Sequence, residues 1–527
     1  MTPQEALRSS GLFRAQPREV VVANLVERTL GELETRDDAA WFSALEDLLF
    51  HERKRLAKRT SPTPEHERLD ALGEAMLRGG RSAQQHAIRG ILTAWAEEIH
   101  GTFSPRAHAF AVRWFPPALG GLLGRPRGLW DWNLDPARRI QIGGDLGLLR
   151  QLADEATLIL APTHVSNLDS PLLGLSLVRA GLPPFQYGAG LNLFSNPVLG
   201  WWMSRLGAYT VDRTKQSALY KQTLKNYSIL QLQDRNHALF FPGGTRSRSG
   251  AMERRLKKGL LGTGIAAWQA MLAQRRAHPD VYVVPVTLSF QLVLEANTLI
   301  QDHLEEAGRQ RYIISDDEFT QPRRLLEFGR RVLSMDASCV VRFGHPLDVL
   351  GNPVPAERAA REDASLRRRA YVCGRDGRVQ SDPQRDRQYT DRLATSLVRA
   401  YPALSTEMST HVVAWAAWTA LEAQLQTTDV FRVLRSSRAQ RRVPMAAFMT
   451  CLTRGLDRLH AGARQRQWHV ALPDTPERVL AEALDRFVDG YHRSNAIERT
   501  SDGIVLSDPR LCLYYRNRSN LSEGRTP

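Results

Sequence analysis

The spacing of apolar residues divides the chain into two helical regions and a central region in which strands and helices alternate. From residue 20 to about 98, apolar residues recur at helical intervals between basic positions. From 140 to about 350, short apolar runs alternate with amphipathic stretches, as a largely parallel α/β fold requires. Helical spacing resumes from 406, with a short hairpin expected near 504–506. We therefore predict an α/β protein with a central, largely parallel sheet, flanking helices, and N- and C-terminal helical regions.

Within the central region, the pattern predicts individual elements. Strands are expected at 157–161, 208–211, 238–241, 282–289 and 339–343. Helices are expected from Pro171 to Gly181, from Pro197 to Gly207, and at 217–233 and 259–274. Ligands bind such sheets at the carboxyl ends of the strands, so the polar residues after these strands are the candidates for chemistry.

Four segments follow from these patterns. They are an N-terminal helical region at 1–105, an α/β domain at 106–350, a charged insertion or linker at 351–395, and a C-terminal helical region at 396–527. A stretch rich in Trp, Pro and Gly at 107–135 interleaves arginines with aromatic residues. Such a stretch suits the boundary of lipid headgroups, or it packs as a loop over the core. No run reaches the ~18 apolar residues of a membrane-spanning helix, so any membrane association is expected to be peripheral.

Composition and charge narrow the class of function. The 527 residues, 43% of them hydrophobic, are typical of a globular protein. An excess of 71 Lys and Arg over 56 Asp and Glu indicates an anionic partner, such as a phospholipid surface, nucleic acid or an acidic carrier protein. No nucleic-acid-binding module is recognisable, so nucleic acid is not expected. Four widely spaced cysteines and an N-terminus without a signal-peptide pattern favour a cytoplasmic location without a metal centre or disulfides.

A histidine and an aspartate flank a tight turn that follows the strand predicted at 157–161. The sequence THVSNLDS at 163–170 places His164 five residues before Asp169. Across such a turn the carboxylate can hydrogen-bond one imidazole nitrogen and leave the other as a general base. The chain has 14 histidines, so the spacing alone also fits an accidental or structural pair.

A loop rich in Gly and Arg follows a later strand, with the sequence FFPGGTRSRSG at 240–250. Glycines let the backbone approach a ligand, and guanidinium groups bind phosphate through two parallel hydrogen bonds. The candidate binding residues here are Gly244, Thr245, Arg246, Ser247 and Arg248. Lys258 adds charge at the start of the next helix, while a surface loop without a ligand is the alternative interpretation.

Four segments in a fixed order carry a family resemblance. The H-x(4)-D turn is followed by GAYTVDR at 207–213, by FPGGTRSRSG at 241–250, and by VPVTLSF at 284–290. This succession resembles the glycerol-phosphate acyltransferases. The longer stretches between the segments look most similar to the large glycerol-3-phosphate and dihydroxyacetone-phosphate acyltransferases. The resemblance covers about 156–350.

The resemblance implies transfer of a fatty acyl group from acyl-ACP or acyl-CoA to a hydroxyl of glycerol 3-phosphate or 1-acylglycerol 3-phosphate, in phospholipid synthesis at the inner face of a membrane. It makes His164 the base and Asp169 its orienting partner. It assigns the acceptor phosphate to Arg213, Arg246, Arg248 and Lys258. Neither a metal ion nor a redox cofactor is implied, because a thioester is already activated.

Two positions depart from the family pattern. The third segment carries Glu in the family where this chain has Gly243, and Gln291 is neutral where the larger enzymes often have an acid. We expect a site with Gly243 to have more room and one hydrogen-bond acceptor fewer, and so to tolerate acceptors other than glycerol 3-phosphate. An acyltransferase for another lysolipid or alcohol, and a catalytically silent lipid-binding homologue, therefore stay open as alternatives.

Overall fold

A computed structural model describes residues 16–58, 61–113, 140–191, 197–307, 339–488 and 495–522. Most of the aromatic stretch at 107–135 lies outside these ranges, so its two interpretations stay predictions. In the described ranges, no helix combines the length and the apolar character needed to cross a membrane.

The described chain opens with four helices, which confirms the predicted N-terminal helical region. They are α1 (Arg18–Glu34), α2 (Asp38–Leu56), α3 (Pro64–Arg78) and α4 (Arg81–Ile99). The helix boundaries follow from local chemistry. Asp37 caps α2 by accepting the backbone N–H of Ala40 at 2.8 Å, and Pro64 occupies the first turn of α3, where its missing N–H has no partner to lose.

A mostly parallel sheet forms the centre of the molecule, as predicted. Its strands are β1 (Ile140–Gly143), β2 (Thr157–Pro162), β3 (Gln186–Gly190), β4 (Ala208–Val211), β5 (Ala238–Leu239), β6 (Val281–Phe290), β7 (Cys339–Phe343) and β8 (Leu347–Asp348). The strand order is β1-β7-β6-β2-β5-β3-β4, with β8 also on β6. Strands β6, β2, β5, β3 and β4 run parallel, while β7 and β8 pair antiparallel with β6. Strands β2 and β6 are buried along their whole length and pair from Thr157 with Val281 to Pro162 with Val286, so they form the core of the sheet.

The helices that accompany the sheet are α5 (Leu146–Glu155), α6 (Asp169–Arg179), α7 (Pro197–Arg205), α8 (Ala218–Gln233), α9 (Lys258–Leu261), α10 (Thr263–Ala273) and α11 (Ala296–Ala307). Helices α6, α7 and α8 lie close to their predicted positions, and the helix predicted at 259–274 is divided at Gly262 into α9 and α10. Helices α5 and α11 were not predicted. The predicted strand at 238–241 ends at Leu239, shortly before Pro242, which has no N–H to offer a ladder. Helix α8 also covers the N-terminal helices, because Tyr220 and Tyr227 belong to their buried core.

The boundaries expected for the charged segment at 351–395 do not match the helices, although more than half of its residues are exposed. This span holds α12 (Arg358–Arg369) and the first half of α13 (Pro383–Leu404), so the expected boundary at 395 falls inside a helix. Its arginines suggested solvent exposure, but two of them are buried in ion pairs. Arg368 Nη2 lies 2.8 Å from Asp280 Oδ1, and Arg361 Nη2 lies 3.1 Å from Glu155 Oε2. The charged segment therefore combines exposed charges with two buried ion pairs.

The C-terminal region is helical, as predicted, and it packs on the sheet. Its helices are α14 (Ser409–Gln424), α15 (Val430–Arg435), α16 (Met445–Arg464), α17 (Pro476–Val488) and α18 (Pro509–Arg518). Its short strands are β9 (Thr406–Met408), β10 (Arg442–Pro444), β11 (His469–Ala471), β12 (Glu498–Arg499) and β13 (Gly503–Val505), and the antiparallel pair β12–β13 confirms the predicted hairpin. One continuous buried core joins α14 and α18 to the side chains of β2, β6 and β7. The C-terminal helices are therefore part of the same packed unit as the sheet.

Candidate active site

The turn between β2 and α6 holds the predicted histidine and aspartate. Strand β2 ends at Pro162, and the backbone N–H of Thr163 still donates to Val286 of β6 at 3.0 Å. Asp169 is the first residue of α6. A carboxylate at this position is favoured by the partial positive charge of the helix N-terminus. The sheet therefore fixes one end of the turn and the helix fixes the other.

His164 and Asp169 form the predicted hydrogen bond. His164 Nδ1 lies 2.8 Å from Asp169 Oδ2, and the same oxygen accepts the backbone N–H groups of Val165 at 2.6 Å and Ser166 at 2.9 Å. A carboxylate only accepts, so Nδ1 carries the proton and Nε2 is left as the acceptor. The Asp169 side chain is fully buried while that of His164 is 19% exposed. The Phe241 ring stacks on the imidazole at 4.1 Å between centroids and limits its rotation.

The glycine- and arginine-rich loop lies directly against this turn. The backbone N–H of Ser247 donates to the carbonyl oxygen of His164 at 2.8 Å. Gly244 has φ +79°, a left-handed conformation that glycine adopts without cost. Thr245 is exposed beside it. The fold thus brings the two strongest sequence motifs together.

A buried glutamate that the sequence analysis did not single out connects the two motifs. Glu295 accepts the backbone N–H of Asn167 and the hydroxyl of Ser166, both at 2.9 Å, and pairs with Arg246 Nη1 at 3.3 Å. Burial raises the pKa of Glu295, while the Arg246 charge opposes that shift. Its signal in the sequence is an isolated acid in the apolar stretch after β6. Glu295 therefore holds Arg246 in a fixed orientation next to the turn.

Gln291, which the family comparison marked as a missing acid, has a structural role. It is buried, and the hydroxyl of Thr410 donates to its main-chain oxygen at 2.6 Å and lies 3.2 Å from its side-chain Oε1. The contact joins the end of β6 to helix α14. The acid near this strand end is thus Glu295, four residues later.

The expectation of extra room beside Gly243 was wrong. A Cβ atom at Gly243 would lie 2.9 Å from Glu253 Cγ and 3.3 Å from its Oε1, so the Glu253 side chain already fills that space. Glu253 Oε1 also accepts the backbone N–H of His164 at 2.7 Å. Burial raises the pKa of Glu253 to about 7. No motif pointed to Glu253, because it lies beyond the recognisable loop sequence.

The other predicted cations lie at the periphery. Arg248 forms an ion pair with Glu306 of α11. Lys258 Nζ lies 2.5 Å from Asp391 Oδ1 of α13, and Lys258 borders a groove between α8, α10 and α13 rather than the His164 turn. Arg213 follows β4, and three strand intervals, about 14 Å, separate β4 from β2.

Arg213 is exposed, and in the described ranges it has no side-chain partner. Across those ranges, no three His, Cys, Asp or Glu side chains are grouped to hold a metal ion.

Helix α18 supports the site from the C-terminal region. Asn517 Nδ2 donates to the carbonyl oxygen of Ser249 at 3.0 Å, and the Tyr515 hydroxyl accepts the backbone N–H of Val293 at 3.0 Å. Gly250 has φ +81°, and a Cβ there would lie 2.3 Å from the Tyr514 carbonyl oxygen, so only glycine fits this contact. The end of the arginine loop is therefore fixed by helix α18.

Comparison with known proteins agrees with this geometry. Residues 147–289 match the model of the Acyltransferase family, and the match includes His164, Asp169 and the arginine loop. This part of the chain is an acyltransferase domain.

The relatives place the domain more closely. The glycerol-3-phosphate acyltransferase of Ectopseudomonas mendocina is 32% identical over 190 residues, which are 36% of this chain and 22% of the relative. Those of Pseudomonas entomophila and Aeromonas hydrophila are 30% and 31% identical over 226 and 224 residues, which are 42% and 41% of this chain and 25% of each relative. Through this domain the chain is similar to the glycerol-3-phosphate acyltransferases, the resemblance that the motifs indicated. It spans about a quarter of the length of these relatives.

Proposed function

We propose that the protein transfers a fatty acyl group from an acyl thioester, acyl-ACP or acyl-CoA, to a hydroxyl of glycerol 3-phosphate or 1-acylglycerol 3-phosphate. The observation that carries this proposal is the 2.8 Å hydrogen bond between His164 and the buried Asp169, next to a loop that presents Arg246. The names of the relatives support a glycerol-phosphate acceptor.

The hydrogen bond at Nδ1 orients His164 for the chemistry. With its proton on Nδ1, the imidazole accepts the acceptor's hydroxyl proton at Nε2 as the oxygen attacks the thioester carbonyl carbon. The C–O bond forms and the C–S bond breaks, and the imidazolium returns the proton to the thiolate that leaves. Asp169 stabilises the imidazolium between these steps. No further reactant is needed.

Arginines suit the phosphate of the acceptor. Arg246 is held by Glu295 through one nitrogen, which leaves other N–H groups of its guanidinium for a ligand. Arg213 has no competing carboxylate partner among the described residues, and it follows β4, whose carboxyl end lies at the same edge of the parallel sheet as that of β2. Two guanidinium groups can bind one phosphate more selectively than one.

The first test is the rate of acyl transfer with labelled acyl-CoA or acyl-ACP. We expect His164→Ala to lower kcat by at least 1000-fold, because the acceptor hydroxyl loses its base. His278→Ala is the matched control, since His278 is exposed and precedes β6, at the end of the sheet opposite the His164 turn. Equal rates for wild type and His164→Ala would overturn the proposed mechanism.

The acceptor is tested by a competition experiment. Glycerol 3-phosphate, 1-acylglycerol 3-phosphate, other lysolipids and a simple alcohol are offered together with one labelled thioester. We expect the two glycerol phosphates to be acylated first. Acylation of another lysolipid in preference would move the function to that acceptor, and no acylation at all would identify a silent homologue.

A further inference from the structure

Glu253 lies ten residues after Gly243, yet its side chain occupies the space beside that glycine. The chain folds back after the arginine loop, and the backbone N–H of Lys257 donates to the carbonyl oxygen of Pro242 at 2.7 Å. This contact returns residues 251–257 to the start of the loop. The Glu253 carboxylate is thereby placed where a side chain at position 243 would lie.

The backbone does not require glycine at position 243. Gly244 and Gly250 have positive φ, whereas Gly243 does not, so other residues can adopt its backbone conformation. A side chain there would instead approach Glu253 Cγ to 2.9 Å, which is closer than real Cβ contacts. The absence of a side chain at Gly243 is therefore explained by the presence of Glu253.

The contacts of Glu253 are those of a site residue. Its Oε1 accepts the backbone N–H of His164 at 2.7 Å, and the Asp169 carboxylate is close enough to favour the protonated form of Glu253. Burial raises its pKa to about 7, yet within the described ranges no side chain donates a hydrogen bond to its carboxylate. A carboxylate kept in a partly dry site without a cation partner costs stability, which is typical of functional groups.

We propose that Glu253 supplies the carboxylate that related acyltransferase sequences carry at position 243, and that it is a positioning and specificity-determining residue for the acyl acceptor. One oxygen holds the His164 turn, and the second accepts a hydrogen bond from a hydroxyl of the acceptor. This proposal rests on the proposed acyl transfer.

Moving the carboxylate from one position to the other tests the proposal. The variants are Glu253→Ala, Gly243→Glu, and the double variant Gly243→Glu/Glu253→Ala. We expect Glu253→Ala to lower kcat/KM for the acceptor at least tenfold while KM for the thioester stays within twofold. We expect Gly243→Glu alone to be impaired as well, because two carboxylates compete for one space. The double variant should recover at least threefold over Glu253→Ala.

Two control variants separate these effects from a general change of charge. Glu74→Ala removes an exposed carboxylate from α3, and Gly90→Glu adds one to α4, where no atom lies within 4 Å of the new Cβ. Both should retain wild-type kcat/KM. Wild-type kcat/KM in Glu253→Ala, or a double variant no more active than Glu253→Ala, would overturn the proposal.

Melting temperatures give a second readout that needs no activity. If the two side chains share one space, Gly243→Glu should lower the melting temperature by several degrees in wild type but by much less in the Glu253→Ala background. If the changes in melting temperature caused by Gly243→Glu and Glu253→Ala are additive, the two side chains do not share one space and the proposal is overturned. If wild type shows no acyl transfer to any acceptor, the proposed function fails. The melting temperatures of the single and double variants still show whether the carboxylate of Glu253 occupies the space beside Gly243.

Should Glu253→Ala fail to fold, the nearly isosteric Glu253→Gln takes its place. Gln keeps an acceptor for the His164 N–H but removes the charge. An unchanged kcat/KM and an unchanged acceptor preference in Glu253→Gln would then overturn the proposal, and a loss of at least fivefold would support it.

Discussion

Asp169 Oδ2 accepts three hydrogen bonds, and this links the chemistry of the site to the folding of the turn. One bond comes from His164 and two come from the backbone N–H groups of Val165 and Ser166. Replacing Asp169 by Asn removes the charge and lets an amide N–H face the imidazole, which reverses the tautomer. We expect Asp169→Asn to lower kcat at least 100-fold and also to lower the melting temperature. His164→Ala should lower kcat at least 1000-fold with a smaller loss of melting temperature, because Asp169 keeps both of its backbone hydrogen bonds.

The two predicted phosphate ligands should respond differently to replacement by Ala. Arg213→Ala should raise KM for the acceptor by about 10- to 150-fold without a change in melting temperature, since a lost charge-assisted hydrogen bond costs about 1.5–3 kcal/mol. Arg246→Ala should raise KM and also destabilise the protein, because the buried Glu295 loses its ion pair. Arg358→Ala, on the exposed face of α12, is the control. An increase confined to KM of the thioester would assign Arg213 to the donor side.

The raised pKa of Glu253 predicts a pH dependence of stability. In the unfolded chain this carboxyl ionises near its ordinary value of 4.5, whereas in the folded protein it holds its proton up to about 7. Between these values the folded state binds more protons, so the stability of wild type falls as pH rises through this window. Glu253→Gln cannot titrate. The melting temperature of Glu253→Gln minus that of wild type should therefore increase from pH 5 to pH 8. A difference that stays constant over this range would contradict the raised pKa of Glu253.

At the scale of elements, the sequence predicted the strands, helices and turns whose structure depends on neighbouring residues. The strands at 157–162 and 208–211 were visible because short apolar runs between turn residues specify them, and the His164–Asp169 bond was predictable because five residues of one turn determine it. Glu253 and Glu295 were not predictable. Each reaches the turn across 89 or more residues, through a folded-back loop or a neighbouring strand.

The charged span at 351–395 also contains contacts between distant residues that the sequence did not predict. Its composition is that of a solvated segment, but Arg361 and Arg368 each find a carboxylate more than 80 residues earlier in the chain. Pairing of this kind depends on how α12 packs against the sheet. A single sequence shows which residues are charged, but it does not show which of them form ion pairs in the folded protein.

Helix α18 offers a test of the contact between the C-terminal region and the site. Tyr515→Phe keeps the packing of the ring but leaves the backbone N–H of Val293 buried without its acceptor. An unsatisfied buried donor costs about 1–3 kcal/mol, so urea denaturation should show a loss of that size. Tyr371→Phe, an exposed tyrosine, should show no loss. Equal stability of Tyr515→Phe and wild type would contradict the buried contact.

At the scale of the whole molecule, the excess of positive charge and an exposed aromatic group suggest where a lipid surface would lie. The net charge is +15. Phe110 and Trp201 are 50% and 48% exposed, and both contact Trp202. Phe110 belongs to the described edge of the stretch predicted to sit among lipid headgroups, and the Arg205 guanidinium lies 4.1 Å over the Trp201 ring. An arginine beside an exposed tryptophan is a combination that suits an anionic interface.

This arrangement predicts two separable components of membrane binding. Vesicles with anionic lipid should bind the protein at low ionic strength, and salt approaching 1 M should release the electrostatic component, because the screening length falls to about 3 Å. Trp201→Ala should lower the fraction that stays bound at high salt. Phe50→Ala, which removes an exposed aromatic side chain from α2, should not. Sedimentation with vesicles measures both fractions. Binding that is equally strong on neutral vesicles would contradict the role of charge, and a wild-type salt profile for Trp201→Ala would place the apolar contact elsewhere on the surface.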